Sequence, residues 1–284
     1  MSNASATVLT TKTEVREAVH KIRQKGLKIG FVPTMGYLHK GHLSLVERAK
    51  RENDIVIVSI FINPTQFSPN EDLARYPRDI QNDINELNKL DTDYIFIPTE
   101  HEMYAEDHLT WVNVDKLGDR LCGASRPGHF RGVTTVVLKL LNIVSPNSMY
   151  MGEKDFQQLV ILEQMIADLD IDTKIVRCPT VREHDGLAMS SRNSYLTKES
   201  RQRALSLSIS LKIAQKCFNE GTTDTAQVIS KMKDELSSSV DKIDYIEIID
   251  SATLEPIKQL KKGCRVLLAA FVNGTRLIDN TEII

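Results

Sequence analysis

Short apolar segments alternate with helical patterns through roughly the first 180 residues, and this order constrains the fold more than any other feature of the chain. Segment 54–63 is the clearest strand, since its run of Val and Ile is typical of a strand buried on both faces. Segment 79–90 places Ile80, Ile84 and Leu87 on one face of a helix. Repeated strand-then-helix order predicts an α/β fold, a doubly wound parallel sheet with helices on both faces.

The other elements of this region follow the same alternation. The predicted strands are 27–32, 54–63, 94–98, 110–114, 148–152 and 173–178. The predicted helices are 43–51, 79–90, 133–144 and 155–169.

The pattern changes after about residue 180. A long helix is predicted at 197–220, with Thr197 as its N-cap, and a second at 225–238. Strands then follow at 244–250, 265–272 and 276–279, the last after an Asn273-Gly274 turn that favours a hairpin. We therefore predict two domains, residues 1–180 and a smaller C-terminal α+β domain over residues 181–284, which we expect to act as a lid.

Charge and cysteine usage indicate a cytoplasmic protein without nucleic-acid or membrane partners. The net charge of −2 provides no field that would attract nucleic acid or an anionic membrane. No apolar segment approaches the roughly 18 residues of a transmembrane helix, and residues 1–7 lack the features of a signal peptide. The cysteines, which form no zinc-binding pattern, are expected to be reduced and buried: Cys122, Cys178, Cys217 and Cys264.

Residues 33–42, with the sequence PTMGYLHKGH, leave a predicted strand and enter a helix. Gly36 and Gly41 permit tight turns and close approach of a ligand. The N-terminus of the helix favours phosphate, and His39 and His42 can donate hydrogen bonds to phosphate oxygens. The alternative is a pair of loop histidines with a structural role. The strand before, the helix after and the glycines between favour phosphate binding.

Two further segments follow predicted strands, where α/β sheets usually place ligands. Asn63 and Gln66 come after segment 54–63, and a buried Gln offers donors and an acceptor without adding charge. Gly152 permits close backbone approach, Lys154 can meet phosphates, and Asp155 can accept from ribose hydroxyls. The alternatives are that Gln66 caps a loop and that Asp155 caps a helix.

Three polar groups remain. Ser190, Ser191 and Arg192 can bond phosphate oxygens, or they can belong to a polar linker. A basic loop can hold a substrate carboxylate, order a lid or lie on the surface, and its cations are Arg126, His129 and Arg131. Asp79 and Asp83 can hold Mg²⁺ through water, although an exposed helix face explains them better.

Residues 33–42 resemble the His-x-Gly-His signature of the nucleotidylyltransferase superfamily related to class I aminoacyl-tRNA synthetases. The longer string is narrower and resembles the pantothenate synthetase (pantoate–β-alanine ligase) family. The strings that match this family in order are 33–42, 61–67 (FINPTQF), 126–133 (RPGHFRGV), 152–158 (GEKDFQQ) and 181–193 (VREHDGLAMSSRN). The resemblance covers residues 33–193 and gives no signature for the C-terminal third.

The resemblance implies a Rossmann-like fold, a homodimer, and ATP-dependent condensation of (R)-pantoate with β-alanine through a pantoyl adenylate, with Mg²⁺. It assigns catalysis to His42, His39, Lys154 and Arg192. It assigns ATP binding to Met35, Gly36, Tyr37, Leu38, His39, Lys40, Gly41, His42, Gly152, Glu153, Lys154, Asp155, Val181, Met189, Ser190, Ser191 and Arg192. It assigns substrate binding to Asn63, Gln66 and Gln158, and it makes 189–192 a mobile loop over the phosphates.

Two other functions compete with this one. A cytidylyl- or adenylyltransferase shares His-x-Gly-His, but it does not call for the strings at 61–67 and 152–158. A non-catalytic nucleotide sensor would bind ATP without consuming it, and it gives no reason for the two glutamines Gln66 and Gln158. A role that depends on tRNA is disfavoured by the balance of charges.

Overall fold

The computed structural model describes residues 5–69 and 71–284. Residues 1–4, part of the terminal stretch examined for a signal peptide, lie outside the described residues. The chain divides into two compact units. The first unit comprises the described residues up to Gly118 with Arg126–Glu153 and Gln158–Pro179, and the second comprises Asp119–Ser125, Lys154–Gln157 and Thr180–Ile284. The predicted domains 1–180 and 181–284 stay a prediction, because compactness alone does not show independent folding.

The first unit is built on a parallel sheet in the order β1-β4-β3-β2-β5-β6. Val56, Ile57 and Val58 have no exposed surface although successive residues point to opposite faces, so both faces of β3 are covered. The strands are β1 (Thr7–Leu9), β2 (Ile29–Thr34), β3 (Ile55–Ile60), β4 (Tyr94–Phe96), β5 (Ser148–Gly152) and β6 (Lys174–Cys178).

Helices connect these strands. Those in or mostly in the first unit are α1 (Lys12–Gln24), α2 (Lys40–Glu52), α3 (Ile80–Lys89), α4 (Glu100–Met103), α6 (His129–Val144) and α7 (Phe156–Asp168). Short α5 (Cys122–Ser125) belongs to the second unit. The predicted histidines lie at the N-cap and in the first turn of α2, and the basic loop runs from Arg126 into the first turn of α6.

The strand order reverses between β2 and β5, which are neighbours in the sheet. β3 and β4 lie beyond β2 on one side, and β6 lies beyond β5 on the other. In open α/β sheets, ligands bind outside the carboxyl ends of the strands at such a point. Residues 35–42 follow β2, and Gly152 and Glu153 stand at the end of β5. Both predicted segments therefore begin at this point of the sheet.

The second unit has an antiparallel sheet in the order β7-β8-β9. Its elements are α8 (Lys198–Asn219), α9 (Thr225–Ser237), β7 (Lys242–Ile249), β8 (Arg265–Val272) and β9 (Thr275–Glu282). Both residues of the predicted turn have positive φ, 49° at Asn273 and 71° at Gly274, as a two-residue hairpin turn requires. Buried side chains of both helices and all three strands form one core. The predicted fold class, a Rossmann-like parallel sheet followed by a smaller α+β part, is confirmed.

Segment 110–114 is not a strand, contrary to the prediction. Its backbone pairs with side chains of α6 instead: the Val112 N–H donates to Thr135 Oγ1 over 3.0 Å, and Thr134 Oγ1 donates to the Val112 carbonyl over 2.7 Å. These hydroxyls take the place of a neighbouring strand, which the apolar pattern could not reveal.

β1 and α1 were missed by the sequence analysis. α1 buries Val15, Val19 and Ile22, and Thr11 and Glu14 form a capping box at its start. This Thr-x-x-Glu spacing before an amphipathic segment was a usable signal. β1 has only three residues, too few for a periodic pattern.

Candidate active site

The two predicted histidines lie together at the start of α2. Their rings stack with centroids 4.0 Å apart and planes inclined by 26°. His39 is the N-cap residue, and its Nδ1 accepts from the Gly41 N–H over 3.1 Å. The His39 N–H in turn donates to His42 Nδ1 over 3.4 Å. Because both Nδ1 atoms accept, each neutral ring carries its proton on Nε2, which is then a donor for phosphate oxygens.

Asp83 of α3 holds the segment that leads into this histidine pair. Its carboxylate, 1% exposed, accepts from the Tyr37 N–H over 2.8 Å and the Leu38 N–H over 2.7 Å. Burial raises the pKa of Asp83, and the two amide hydrogen bonds oppose that rise. Gly36 has φ +79°, and a Cβ built there would stand 3.0 Å from Asp83 Oδ2. A glycine and a buried carboxylate together fix the turn.

The alternative that Asp79 and Asp83 form an exposed helix face is wrong for Asp83. Asp79 is exposed and caps α3 by accepting from the Asn82 N–H over 3.1 Å. Both oxygens of Asp83 accept backbone hydrogen bonds, which leaves this carboxylate poorly suited to water-mediated Mg²⁺ binding. Across residues 5–69 and 71–284, no three His, Cys, Asp or Glu side chains come together as metal ligands.

Asn63 and Gln66 form a second cluster after β3. Asn63, 1% exposed, donates to Gln66 Oε1 over 3.0 Å and to the Gly132 carbonyl over 3.1 Å. Its own oxygen accepts from Thr65 Oγ1 and Tyr104 OH, each over 2.9 Å. Gln66 Nε2 lies 3.2 Å from Met35 Sδ. Asn63 therefore orients the side chain of Gln66.

Two cations of the basic loop, Arg126 and His129, are held by internal partners, whereas the third, Arg131, is exposed. Arg126 contacts both carboxylate oxygens of Glu71 over 2.6 Å. Arg131 lies 5.1 Å from the centroid of the Trp111 ring, and Trp111 is 40% exposed. Arg126 is therefore held by the carboxylate of Glu71, and the surface alternative applies to Arg131 alone.

Gly152 ends β5 in the first unit, and Gln158 is half-buried on α7. A Cβ built at Gly152 would have no described atom within 4 Å. Packing against the described residues therefore does not require a glycine there, whereas a ligand close to the backbone would. Glu153 follows Gly152 and is half-buried.

In the second unit, Lys154 Nζ lies 3.5 Å from Asp155 Oδ1. The Lys154 side chain is 19% exposed and that of Asp155 50%. The Lys154 carbonyl accepts from Asn280 Nδ2 over 2.8 Å. Asn280 of β9 therefore anchors the backbone of Lys154.

Residues 181–189 of the second unit fold back on themselves. The Met189 N–H donates to the Val181 carbonyl over 3.0 Å, and the Glu183 N–H donates to the Leu187 carbonyl over 2.8 Å. Gly186 turns the chain with φ +96°. A 3-10 helix over Ser191–Tyr195 follows. This folding places Val181 and Met189 on paired segments.

Ser190, Ser191 and Arg192 follow that turn directly. Ser190 Oγ accepts from the Arg192 N–H over 3.3 Å, and Ser191 is buried. The hydroxyl of Ser190 therefore fixes the backbone at the start of the predicted serine–arginine segment.

Two residues that the sequence analysis did not single out hold this segment. Asn193 Nδ2 donates to Glu183 Oε1 over 2.7 Å and to the Ala188 carbonyl over 3.0 Å. Arg201 of α8 bridges Glu183 over 2.7 Å and Asp185 over 2.8 Å. Burial raises the pKa of Glu183, but the hydrogen bonds from Arg201 and Asn193 together lower it by more, so the pKa lies below its ordinary value. Nothing in the spacing of these residues along the chain predicts the contacts.

The strand order of the parallel sheet reverses between β2 and β5, and a helix capped by a histidine begins at that point. These features define an α/β protein of the nucleotide-binding class. A family profile described as pantoate–β-alanine ligase matches residues 7–282. The chain belongs to the pantoate–β-alanine ligase family.

Individual relatives agree with this assignment. A pantothenate synthetase of Thermotoga petrophila is 53% identical over 275 residues, which cover 96% of this chain and 98% of the relative. The crystal structure of pantothenate synthetase from Thermus thermophilus superposes with a TM-score of 0.93 at 42% identity, covering 97% of this chain and 99% of that one.

A further structure, pantoate–β-alanine ligase from Francisella tularensis complexed with β,γ ATP and β-alanine, superposes with a TM-score of 0.81. It is 39% identical and covers 98% of this chain and 97% of its own. Among the described residues, no helix combines the length and apolar character needed to cross a bilayer.

Proposed function

We propose that the chain condenses (R)-pantoate with β-alanine at the expense of ATP, releasing pantothenate, AMP and pyrophosphate. One observation carries the proposal: two stacked imidazoles stand at the start of α2, and each accepts a backbone N–H at Nδ1. It follows that a neutral ring holds its proton on Nε2 and can donate from there. Donors of this kind at a helix N-terminus suit the phosphates of a nucleotide. The ligand content of the Francisella structure, an ATP compound with β-alanine, supports the same substrates.

In the first step, a carboxylate oxygen of pantoate attacks the α-phosphorus of ATP. A P–O bond forms, the bond from the α-phosphorus to the bridging oxygen breaks, and pyrophosphate leaves. A carboxyl group with a pKa of about 4 is already ionised at neutral pH, so this step needs no general base. It needs relief of repulsion between two anions, and alignment of the attacking oxygen.

The chain's own residues can meet these needs. We propose that His42 Nε2–H donates to a phosphate oxygen, supported by His39, and that Lys154 and Arg192 neutralise phosphate charge. The ATP contacts would come from residues 35–42, Gly152–Asp155, Val181 and 189–192. Gln66, oriented by Asn63, would align pantoate together with Gln158, and it would also contact β-alanine.

In the second step, the amine of β-alanine attacks the acyl carbon of pantoyl adenylate. A C–N bond forms, the C–O bond to AMP breaks, and the nitrogen loses a proton. An amine with a pKa of about 10 is mostly protonated at neutral pH, so this step requires a proton acceptor. Because only the neutral amine is a nucleophile, the rate of this step should rise with pH up to about 10.

Magnesium would arrive on the phosphates of ATP, because Mg²⁺ usually keeps several waters and binds few carboxylates. Asp83 does not suit the ion, since both of its oxygens accept backbone N–H groups. We also propose, from the resemblance, a cytoplasmic homodimer.

The test is the release of AMP from ATP, measured with and without pantoate and β-alanine. AMP release that requires pantoate supports ligation over a nucleotidylyltransferase, and a sensor would release no AMP under any of these conditions. His42→Ala and Lys154→Ala should lower turnover by about 10²–10³-fold, as removal of a preorganised charge-stabilising group does.

His20→Ala is the matched control, because His20 is exposed on α1 and lies beside Gln24. It should leave turnover unchanged. Folded His42→Ala and Lys154→Ala enzymes with normal turnover would contradict the assigned roles.

A further inference from the structure

The backbone carbonyl of Gln66 receives two side-chain donors from the basic loop. His129 Nδ1 lies 2.8 Å from this oxygen, and Arg126 Nη2 lies 3.3 Å from it. Both residues stand in or next to the first turn of α6. A carbonyl held by two side chains is fixed more firmly than one that faces solvent.

The contacts of His129 define where its proton lies. The Gln66 carbonyl can only accept, so Nδ1 donates. Arg126 Nη1 can only donate, and it lies 3.0 Å from His129 Nε2, so Nε2 accepts. The imidazole is therefore neutral, with its proton on Nδ1, the tautomer opposite to that of His39 and His42.

Glu71 holds the guanidinium of Arg126, which in turn holds the imidazole of His129. Its two oxygens each lie 2.6 Å from a nitrogen of Arg126 in a bidentate pair. The side chains are 21% exposed for Glu71 and 14% for Arg126. A chain of contacts thus runs from Glu71 through Arg126 and His129 to Gln66.

The side chain of Gln66 is fixed separately, through Asn63. Asn63 sets the orientation of the amide, and the loop sets the position of the backbone that carries it. Neither support replaces the other, because a displaced backbone carries a correctly oriented amide to the wrong place.

We propose that His129, oriented by Arg126 and Glu71, is a positioning residue for Gln66 and thereby sets the affinity for pantoate. The proposal rests on the proposed function, in which Gln66 contacts pantoate. The basic loop then acts through Gln66 and does not itself bind the substrate carboxylate.

The test compares His129→Leu with His129→Asn. Asn retains a donor near the position of Nδ1, whereas Leu keeps the volume and loses the donor. His129→Leu should raise KM for pantoate about 10-fold, as the loss of one hydrogen bond of about 1.4 kcal/mol would, and leave KM for ATP within about twofold. His129→Asn should restore most of the affinity, which a purely structural role would not produce. His101→Leu, at an exposed position of α4, is the control.

A double-mutant cycle separates this proposal from the proposed function. Gln66→Ala should raise KM for pantoate, and His129→Leu should add little in the Gln66→Ala background. If Gln66→Ala leaves KM for pantoate unchanged, the substrate role of Gln66 is wrong. If it raises KM and His129→Leu multiplies the effect in full, Gln66 binds pantoate but His129 does not act through it.

Glu71→Gln serves where His129→Leu fails to fold. It keeps one acceptor for Arg126 and removes the charge, and it should raise KM for pantoate about threefold with KM for ATP unchanged. A normal KM for pantoate in the folded Glu71→Gln and His129→Leu enzymes would overturn the proposal, and so would equal losses for pantoate and ATP in His129→Leu.

Discussion

Gly132 of α6 allows a close backbone approach that the fold exploits beside Gln66. A Cβ built at Gly132 would stand 2.4 Å from the Thr65 carbonyl oxygen, 2.6 Å from its carbon and 2.8 Å from the Gln66 nitrogen. These are backbone atoms, so rotation of a side chain cannot relieve the clash. Gly132→Ala must therefore move α6 or residues 64–66.

The size of the movement follows from the distances. The gap to the Thr65 oxygen must widen from 2.4 Å to about 3.4 Å before the contact is ordinary, which displaces the backbone by about 1 Å. A displacement of about 1 Å in a positioning segment can cost about 10²-fold in rate. Overpacking costs about 1–3 kcal/mol, offset by about 1 kcal/mol of helix propensity gained over glycine.

We expect Gly132→Ala to lower kcat/KM for pantoate about 10²-fold while the protein loses at most about 2 kcal/mol of stability. Initial rates with varied pantoate, and urea unfolding, measure the two effects. Gly118→Ala is the control, since its Cβ would lie 3.6 Å from Phe130 Cβ, an ordinary contact. A Gly132→Ala enzyme with the wild-type kcat/KM would refute the link between this contact and the position of Gln66.

Three other perturbations test other parts of the molecule. Asp83→Asn leaves one of the two backbone N–H groups at 37–38 without its acceptor, which should lower the free energy of unfolding by about 1–3 kcal/mol and kcat at least about 10-fold. The Mg²⁺ dependence of initial rates should not change, and a changed Mg²⁺ requirement would show that Asp83 belongs to a metal site. Arg201→Met should lower the free energy of unfolding at pH 7 by about 2 kcal/mol. The pKa of Glu183 is depressed from its ordinary 4.5 and that of Asp185 from its ordinary 3.8. The stabilisation by Arg201 is therefore complete above pH 4.5 and is lost as the pH falls through the depressed pKa values, so the difference between Arg201→Met and wild type in urea unfolding should shrink steadily on acidification. Leu268→Ala opens a cavity at a position with no exposed surface and should cost about 2–5 kcal/mol in urea unfolding; a loss below about 1 kcal/mol would mean that β8 repacks.

The order of strands and helices was readable from the sequence because each element repeats its own period over enough residues. Segment 148–152 was predicted with its observed bounds, and so was 265–272. The strand predicted at 110–114 is absent because apolar alternation does not show whether a partner backbone lies alongside, and a strand needs one. There the partners are the hydroxyls of Thr134 and Thr135.

Motifs supply the residues that are proposed to bind the substrates, but they do not reveal which residues hold these in place. Asp83 contacts Tyr37 across 46 positions of the chain, and Arg126 contacts Glu71 across 55. Such pairs depend on which elements the topology brings together. A single sequence carries no local pattern for them, and an isolated Asp on a helix is equally compatible with a solvated face.

The fixed orientation of the Gln66 amide determines which hydrogen-bonding groups of a ligand can bind to it. Its oxygen accepts one hydrogen bond from Asn63, while its nitrogen faces the thioether of Met35, a weak acceptor. An incoming carboxylate or hydroxyl oxygen would exchange a poor partner for a better one and gain from the exchange. An incoming ammonium or amide N–H would meet the Nε2 donor on this side and could bind only at the remaining lone pair of Oε1, so the Nε2 edge of the amide favours acceptor groups over donors.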